Sequence, residues 1–213
     1  MKAAVLISGR GSNLQSLIDA QKSGDLHAEI VKVVSNVPDV QGLQRAEEAG
    51  IETAVLDHKN FEDRESFEDA LHALLADAGI DLVCLAGFMR ILTDNFVSRW
   101  RDRLINIHPS LLPAFKGLHT HERAIEAGVR FSGCTVHFVR PAMDDGPIIV
   151  QAAVPIHADD TPDDLAKRVL AEEHKIYPLA VRLIADGRIR VAGDRVAIEN
   201  AVSPDTALIN PAN

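Results

Sequence analysis

Asn106-Ile107-His108 places an amide and an imidazole on alternate positions at the end of a short apolar run. In a strand that spacing points both side chains the same way. The amide can donate to a developing oxyanion, and the imidazole can donate or take a proton. The run then enters HPSLLPAFKGLHTH, where Pro109, Pro113 and Gly117 predict an irregular loop. In open α/β sheets ligands sit outside the carboxyl ends of the strands, which is where this pair falls. Met143-Asp144-Asp145-Gly146-Pro147 supplies two adjacent carboxylates in a tight turn. A carboxylate beside His108 would favour the charged imidazole, yet Asp-Asp-Gly is also an ordinary turn sequence. Sequence spacing alone does not bring the two together.

Other histidines carry weaker signals. His119-Thr120-His121 has the His-x-His pattern that ligates zinc on a strand, but it falls in the predicted loop with no third ligand at suitable spacing. No metal is expected. His137 alternates with Val136 and Phe138 and so faces away from them, either supporting a site or simply packed.

A second constellation lies in LISGRGSNLQSL, a glycine turn between an apolar run and a helical pattern. A dinucleotide fingerprint would place a third glycine at Leu14 and an acid near Ser35-Asn36, and neither is present. A Walker A loop needs Gly-Lys-Ser/Thr, which is absent. What remains is Gly11-Ser12-Asn13 opening a helix. Free N–H groups, the helix dipole and a hydroxyl there suit a single phosphate. A tight turn with a plain polar cap fits the same residues.

Strand-like runs over residues 3–7, 29–35, 52–56, 82–86 and 104–107 alternate with helical patterns over 14–22, 42–49 and 61–78. That alternation predicts an α/β, Rossmann-like, mostly parallel twisted sheet with helices on both faces. Residues 133–139 and 148–155 predict an antiparallel addition towards the C-terminal part. Thr161-Pro162-Asp163-Asp164 is a strong helix start, and the helix it opens should kink or break at Pro178. The pattern predicts a single domain over residues 1–200 and a loose tail over 201–213.

Of the 213 residues, 46% are hydrophobic and 25% charged, which excludes a disordered or collagen-like chain. The formal net charge of −9 argues against a general nucleic-acid surface. An anionic ligand must then be held by a local, shaped site. Two cysteines, Cys84 and Cys134, are too few and too far apart for a disulfide framework or a zinc site, and read as buried thiols. No run approaches the ~20 apolar residues of a membrane span. A cytoplasmic protein with no membrane partner is expected.

GRGSNLQSLIDA, LAGFMRIL, INIHPSLLPAFKGLHTH and TVHFV…MDDGPII occur in that order. Together they resemble the phosphoribosylglycinamide formyltransferases, the folate-dependent enzymes of purine synthesis, from residue 2 to about 190. The resemblance implies direct transfer of the formyl group of 10-formyltetrahydrofolate, a co-substrate, to the amine of glycinamide ribonucleotide through a tetrahedral intermediate. It implies catalytic roles for Asn106, His108 and Asp144. Gly11, Ser12, Asn13, Lys116, Gly117 and Glu173 would hold the acceptor's phosphate and ribose. Arg64, Met89, Arg90, Ile91, Leu92, Asn106 and the segment Arg140, Pro141, Ala142, Met143, Asp144 would hold the folate. Partners would be small-molecule substrates, with the protein a monomer or homodimer. Two other families share the same formyl-transfer core. A tRNA formyltransferase needs a basic surface and an added C-terminal domain, and a formyltetrahydrofolate deformylase carries an N-terminal regulatory domain. Neither is expected of this chain. A non-enzymatic nucleotide-binding module would give Asn106, His108 and Asp144 no reason to converge.

Overall fold

A computed structural model describes residues 1–211. A seven-stranded sheet runs in the order β3-β2-β1-β4-β5-β6-β7. The strands are β1 (Lys2–Ile7), β2 (Glu29–Ser35), β3 (Glu52–Val55), β4 (Leu82–Leu85), β5 (Leu104–His108), β6 (Phe131–Phe138) and β7 (Ile148–Pro155). The first five are parallel, and β6 and β7 are antiparallel additions. The helices are α1 (Ser12–Ser23), α2 (Gln41–Glu48), α3 (Arg64–Asp77), α4 (Asp94–Arg99), α5 (Thr120–Glu126) and α6 (Pro162–Ala185).

The central strand shows why both faces must be covered. Val5 and Ile7 of β1 join Leu14, Leu17 and Ile18 of α1 and Val169 and Tyr177 of α6 in one cluster. Ala4 and Leu6, pointing the other way, join Phe67, Leu71 and Leu75 of α3 and Phe96 of α4 in a second. A strand apolar on both faces leaves no solvent side, so helices must cap both.

Chain direction sets the position of the site. β1 leads outward to β2 and β3, while β4 returns to pair with the opposite edge of β1 and leads to β5. The order therefore reverses between β1 and β4, and the carboxyl ends of β1, β4 and β5 open side by side at the switch point where such sheets bind ligands.

Several expectations are corrected. The helix expected over 61–78 begins at Arg64, because Asp63 caps it: its carboxylate accepts from Ser66 N at 2.7 Å. The helix opened by Thr161 does not break at Pro178. It runs to Ala185, because Ile176, Tyr177, Ala180 and Val181 around the proline are buried in the core, and that packing outweighs a cost of ~3 kcal/mol for an interior proline. His119 and His121 do not both lie in a loop. His119 is the N-cap of α5 and His121 lies in its first turn. A hairpin of β8 (Ile189–Ala192) and β9 (Arg195–Ile198) adds a second small sheet. Most of the tail from Ala201 is exposed, but Asn210 Nδ2 donates to the carbonyls of Arg130 and Ile156 at 2.7 and 3.0 Å. The last two residues of that expected tail lie outside the described residues. Cys84 and Cys134 are free and buried, and burial pushes both thiols up to about 12. Among the described residues no helix is long and apolar enough to cross a membrane.

Candidate active site

β5 delivers Asn106 and His108 at its carboxyl end, and β6 runs antiparallel beside it with His137 opposite Asn106 and Thr135 opposite His108. Paired residues share a face, so all four side chains converge. His108 is buried, and its Nε2 donates to the carbonyl of Phe115 at 3.0 Å. A carbonyl only accepts, so Nε2 carries a hydrogen. Nδ1 lies 3.5 Å from Asp144 Oδ2. The MDDGP turn therefore does meet the histidine. The same carboxylate oxygen accepts from Gly117 N at 2.8 Å, which fixes it between the loop and the ring.

His137 sets the orientation of Asn106. Its Nδ1 lies 3.0 Å from the carbonyl of Phe138, so Nδ1 is the donor. Nε2 then accepts from Asn106 Nδ2 at 3.3 Å. Burial holds the His137 ring below its ordinary pKa and favours this neutral form. The amide of Asn106 keeps a second N–H for a ligand. Strand alternation alone left the role of His137 open, and the cross-strand register supplies it.

The loop after His108, irregular as expected, is tightly bound. Thr135 Oγ1 donates to Ser110 O at 2.7 Å and accepts from Leu112 N at 3.1 Å. Gln151 Nε2 donates to Leu112 O and to Thr135 Oγ1, both at 2.9 Å. Further along, Arg123 donates to the carbonyls of Lys116 and Leu118 at 2.6 and 3.3 Å. These bonds place the Phe115 carbonyl against His108. Lys116 pairs with Asp145 at 2.5 Å.

The glycine turn differs in detail from its sequence reading. Gly11 is the N-cap of α1 at φ 70°, with no side-chain cap. The first intrahelical bond is Gln15 N to Gly11 O at 2.9 Å, so the preceding N–H groups are the orphan donors of a helix start. A Cβ on Gly11 would lie 2.8 Å from Gly42 Cα, so its smallness serves the packing of α2 as well as the turn. Among the described residues a Cβ on Gly9 would meet nothing within 4 Å, so that side of the turn is open. Asn13 does not face outward. Its Nδ2 donates to Glu173 Oε2 at 2.7 Å, leaving Oδ1 buried with no partner among the described residues.

Burial raises the Glu173 carboxyl, partly opposed by the Asn13 bond. A carboxyl raised on folding stabilises the fold while protonated, and that contribution is lost as pH rises through the raised value. Glutamine at 173 cannot ionise. Glu173→Gln should therefore gain melting temperature relative to the parent as pH climbs through and above the ordinary glutamate range. A melting difference flat across that range would show that Glu173 carries no ionisation cost.

Of the residues implied for folate, Asn106 and Asp144 stand in the site just described. β4 pairs with β5, Leu85 opposite Asn106, so residues 87–92 leave the sheet beside Asn106 and His108. Met89, Ile91 and Met143 are exposed apolar side chains, and Leu92 is buried in the cluster with Phe67 and Phe96. Arg64 is exposed at the start of α3. Arg140 turns away: its guanidinium pairs with Asp102 at 2.5 Å and donates to Val139 O, leaving the backbone of 140–144 for any ligand contact. Among the described residues no group of three or more His, Cys, Asp or Glu could hold a metal.

The sequence model of the Formyl transferase family matches residues 1–181. The chain belongs to the formyl transferase family. Phosphoribosylglycinamide formyltransferase of Haemophilus influenzae is 44% identical over 209 residues, 98% of this chain and 99% of that one. The crystal structure of glycinamide ribonucleotide transformylase 1 from Symbiobacterium toebii superposes with a TM-score of 0.92 at 46% identity, covering 94% of each chain. Trifunctional purine biosynthetic protein adenosine-3 of Gallus gallus is 50% identical over 191 residues, 90% of this chain. This formyl transferase spans 19% of that much longer relative.

Proposed function

We propose that this formyl transferase moves the formyl group of 10-formyltetrahydrofolate to the amine of glycinamide ribonucleotide, a step of purine synthesis. The observation that carries the reading is the convergence of Asn106, His108 and Asp144 at the switch point. It stands in a chain that matches a phosphoribosylglycinamide formyltransferase along almost its whole length. The orphan N–H groups of α1 receive the acceptor's 5′-phosphate through the open side at Gly9, and Glu173 and Asn13 border its ribose. The exposed Met89, Ile91 and Met143 cover the pterin, whose edge meets the backbone of residues 87–92 and 140–144. Arg64 meets the folate's anionic tail. An exposed apolar patch rimmed by backbone polar groups fits a flat heteroaromatic ring.

The acceptor amine attacks the formyl carbon, a new N–C bond forms, and the carbonyl oxygen becomes an oxyanion. The free N–H of Asn106 and the ring of His108 stabilise it, His108 exchanging its Phe115 carbonyl for the oxyanion. Asp144 lies against Nδ1 and balances the ring's positive charge when both nitrogens are protonated. The C–N bond to the folate then breaks as the amine proton passes to the leaving nitrogen. No covalent enzyme intermediate is needed.

The test is a spectrophotometric assay of the purified protein with both substrates and with each omitted. Folate deformylation should require glycinamide ribonucleotide. Turnover without the acceptor would mean hydrolysis, and absence of turnover with both would overturn the assignment.

A further inference from the structure

Ser8 directly follows β1 and opens the stretch that leads into the glycine turn, next to the residues implied for the acceptor. Its bonds point elsewhere. Met89 N, in the segment beside the catalytic pair, donates to Ser8 Oγ at 2.8 Å. Ser8 Oγ donates its one hydrogen to Asn36 Oδ1 at 2.5 Å, so its lone pairs face Met89. Asn36 is buried at the end of β2 and is held in turn, its Nδ2 lying 3.2 Å from His58 Nδ1 and its backbone N bonded to Ile7 O.

From these contacts we infer that Ser8 is a positioning residue for the folate segment and not for the acceptor; the inference rests on the formyl-transfer reading above. Gly87, at φ 71°, turns the chain out of β4 after Ala86 N has bonded Leu6 O at 2.9 Å. Residues 87–92 then form neither helix nor strand. The segment is pinned at two points by side chains from other elements. Near its start, Met89 N rests on Ser8. Just past its end, Thr93 N donates to Glu68 Oε1 at 2.9 Å and the Thr93 hydroxyl bonds Oε2 of the same buried carboxylate. Between the pins, Met89 and Ile91 face solvent. Phe88 and Leu92 pack on the core, but the exposed Met89 and Ile91 lend the arc no packing, so the two hydrogen-bonded pins fix its backbone there.

Ser8→Ala removes the acceptor of the Met89 N–H and the donor to Asn36. The loss of one hydrogen bond that shapes a binding segment corresponds to a KM for 10-formyltetrahydrofolate raised roughly 3- to 10-fold, with kcat and the KM for glycinamide ribonucleotide held within about twofold. Ser8→Thr, which keeps the hydroxyl, should restore the folate KM. Ser8→Cys, near in size but a weak acceptor, should behave as alanine does and serves in its place if the alanine variant fails to fold. A rise in the acceptor KM instead, a fall in kcat alone, no change in any constant, or failure of threonine to rescue would each overturn the inference. Calorimetric binding of the folate without acceptor keeps the two readings separable. A wild-type protein that binds folate but does not turn over sinks formyl transfer, while weaker folate binding by Ser8→Ala would still support the positioning role.

Discussion

His108→Ala should lower kcat by roughly 10²–10³, the usual cost of deleting one donor to an oxyanion, while leaving a folded protein. The ring is buried between the Phe115 carbonyl and Asp144. Asn106 retains its bond to His137 without it, so the variant keeps one donor and loses the other. The Phe115 carbonyl loses its partner, which costs stability on the order of 1–3 kcal/mol. Asp144 still accepts from Gly117 N, so the loop it anchors is not released. Asn106→Ala should fall by a similar factor, and the double variant by less than the product of the two, because groups acting on one oxyanion are not additive. Single-turnover rates with both substrates saturating separate this from weakened binding. A His108→Ala protein that turns over near the parent rate would remove His108 from the chemistry.

How much of this was legible in the sequence depends on the range of the interaction. Residues 29–35 and 148–155 became β2 and β7 as expected, because β-branched runs bounded by polar turns carry a local signal. The hairpin β8–β9 carries such a signal too, with Ile189, Val191, Val196 and Ile198 alternating about Gly193-Asp194, although it is absent from the expected elements. α4 and α5 are short, too short for an apolar stripe to stand out from the surrounding loop. Asn106 and His108 were readable from two-residue spacing at a strand's end. Their dependence on Asp144 was not, since only the pairing of β5 with β6 and the turn into β7 brings that carboxylate to the ring. The Phe115 carbonyl has no signature at all, being backbone. Nor does the Asn13–Glu173 bond, which links the first helix to the last. Gly11 shows the opposite failure: its presence was noticed, but half of its reason, contact with Gly42, is tertiary.

The turn that carries Asp144 offers a second large effect. Gly146→Ala should cost about 2–4 kcal/mol and lower the melting temperature by roughly 5–12 °C, with a severe loss of turnover. A Cβ built on Gly146 would lie 1.7 Å from Phe138 O and 2.9 Å from Phe138 C. Both are backbone atoms, so no rotamer change relieves the overlap. The next residue locks the position, since Phe138 N donates to Pro147 O at 2.9 Å. To admit a methyl group the turn must move away from β6, and that displacement carries Asp144 off its 3.5 Å approach to His108 and its 2.8 Å bond from Gly117 N. Asp144→Asn is the matched control: it removes the charge without the steric load, so it should lose activity while melting close to the parent. If Gly146→Ala, assayed well below its melting point, lost stability but kept kcat, the Asp144 turn would not need its present anchorage. If it lost kcat in proportion to Asp144→Asn, the glycine's role in catalysis would be to let the strand pair close tightly enough to hold one carboxylate against one imidazole.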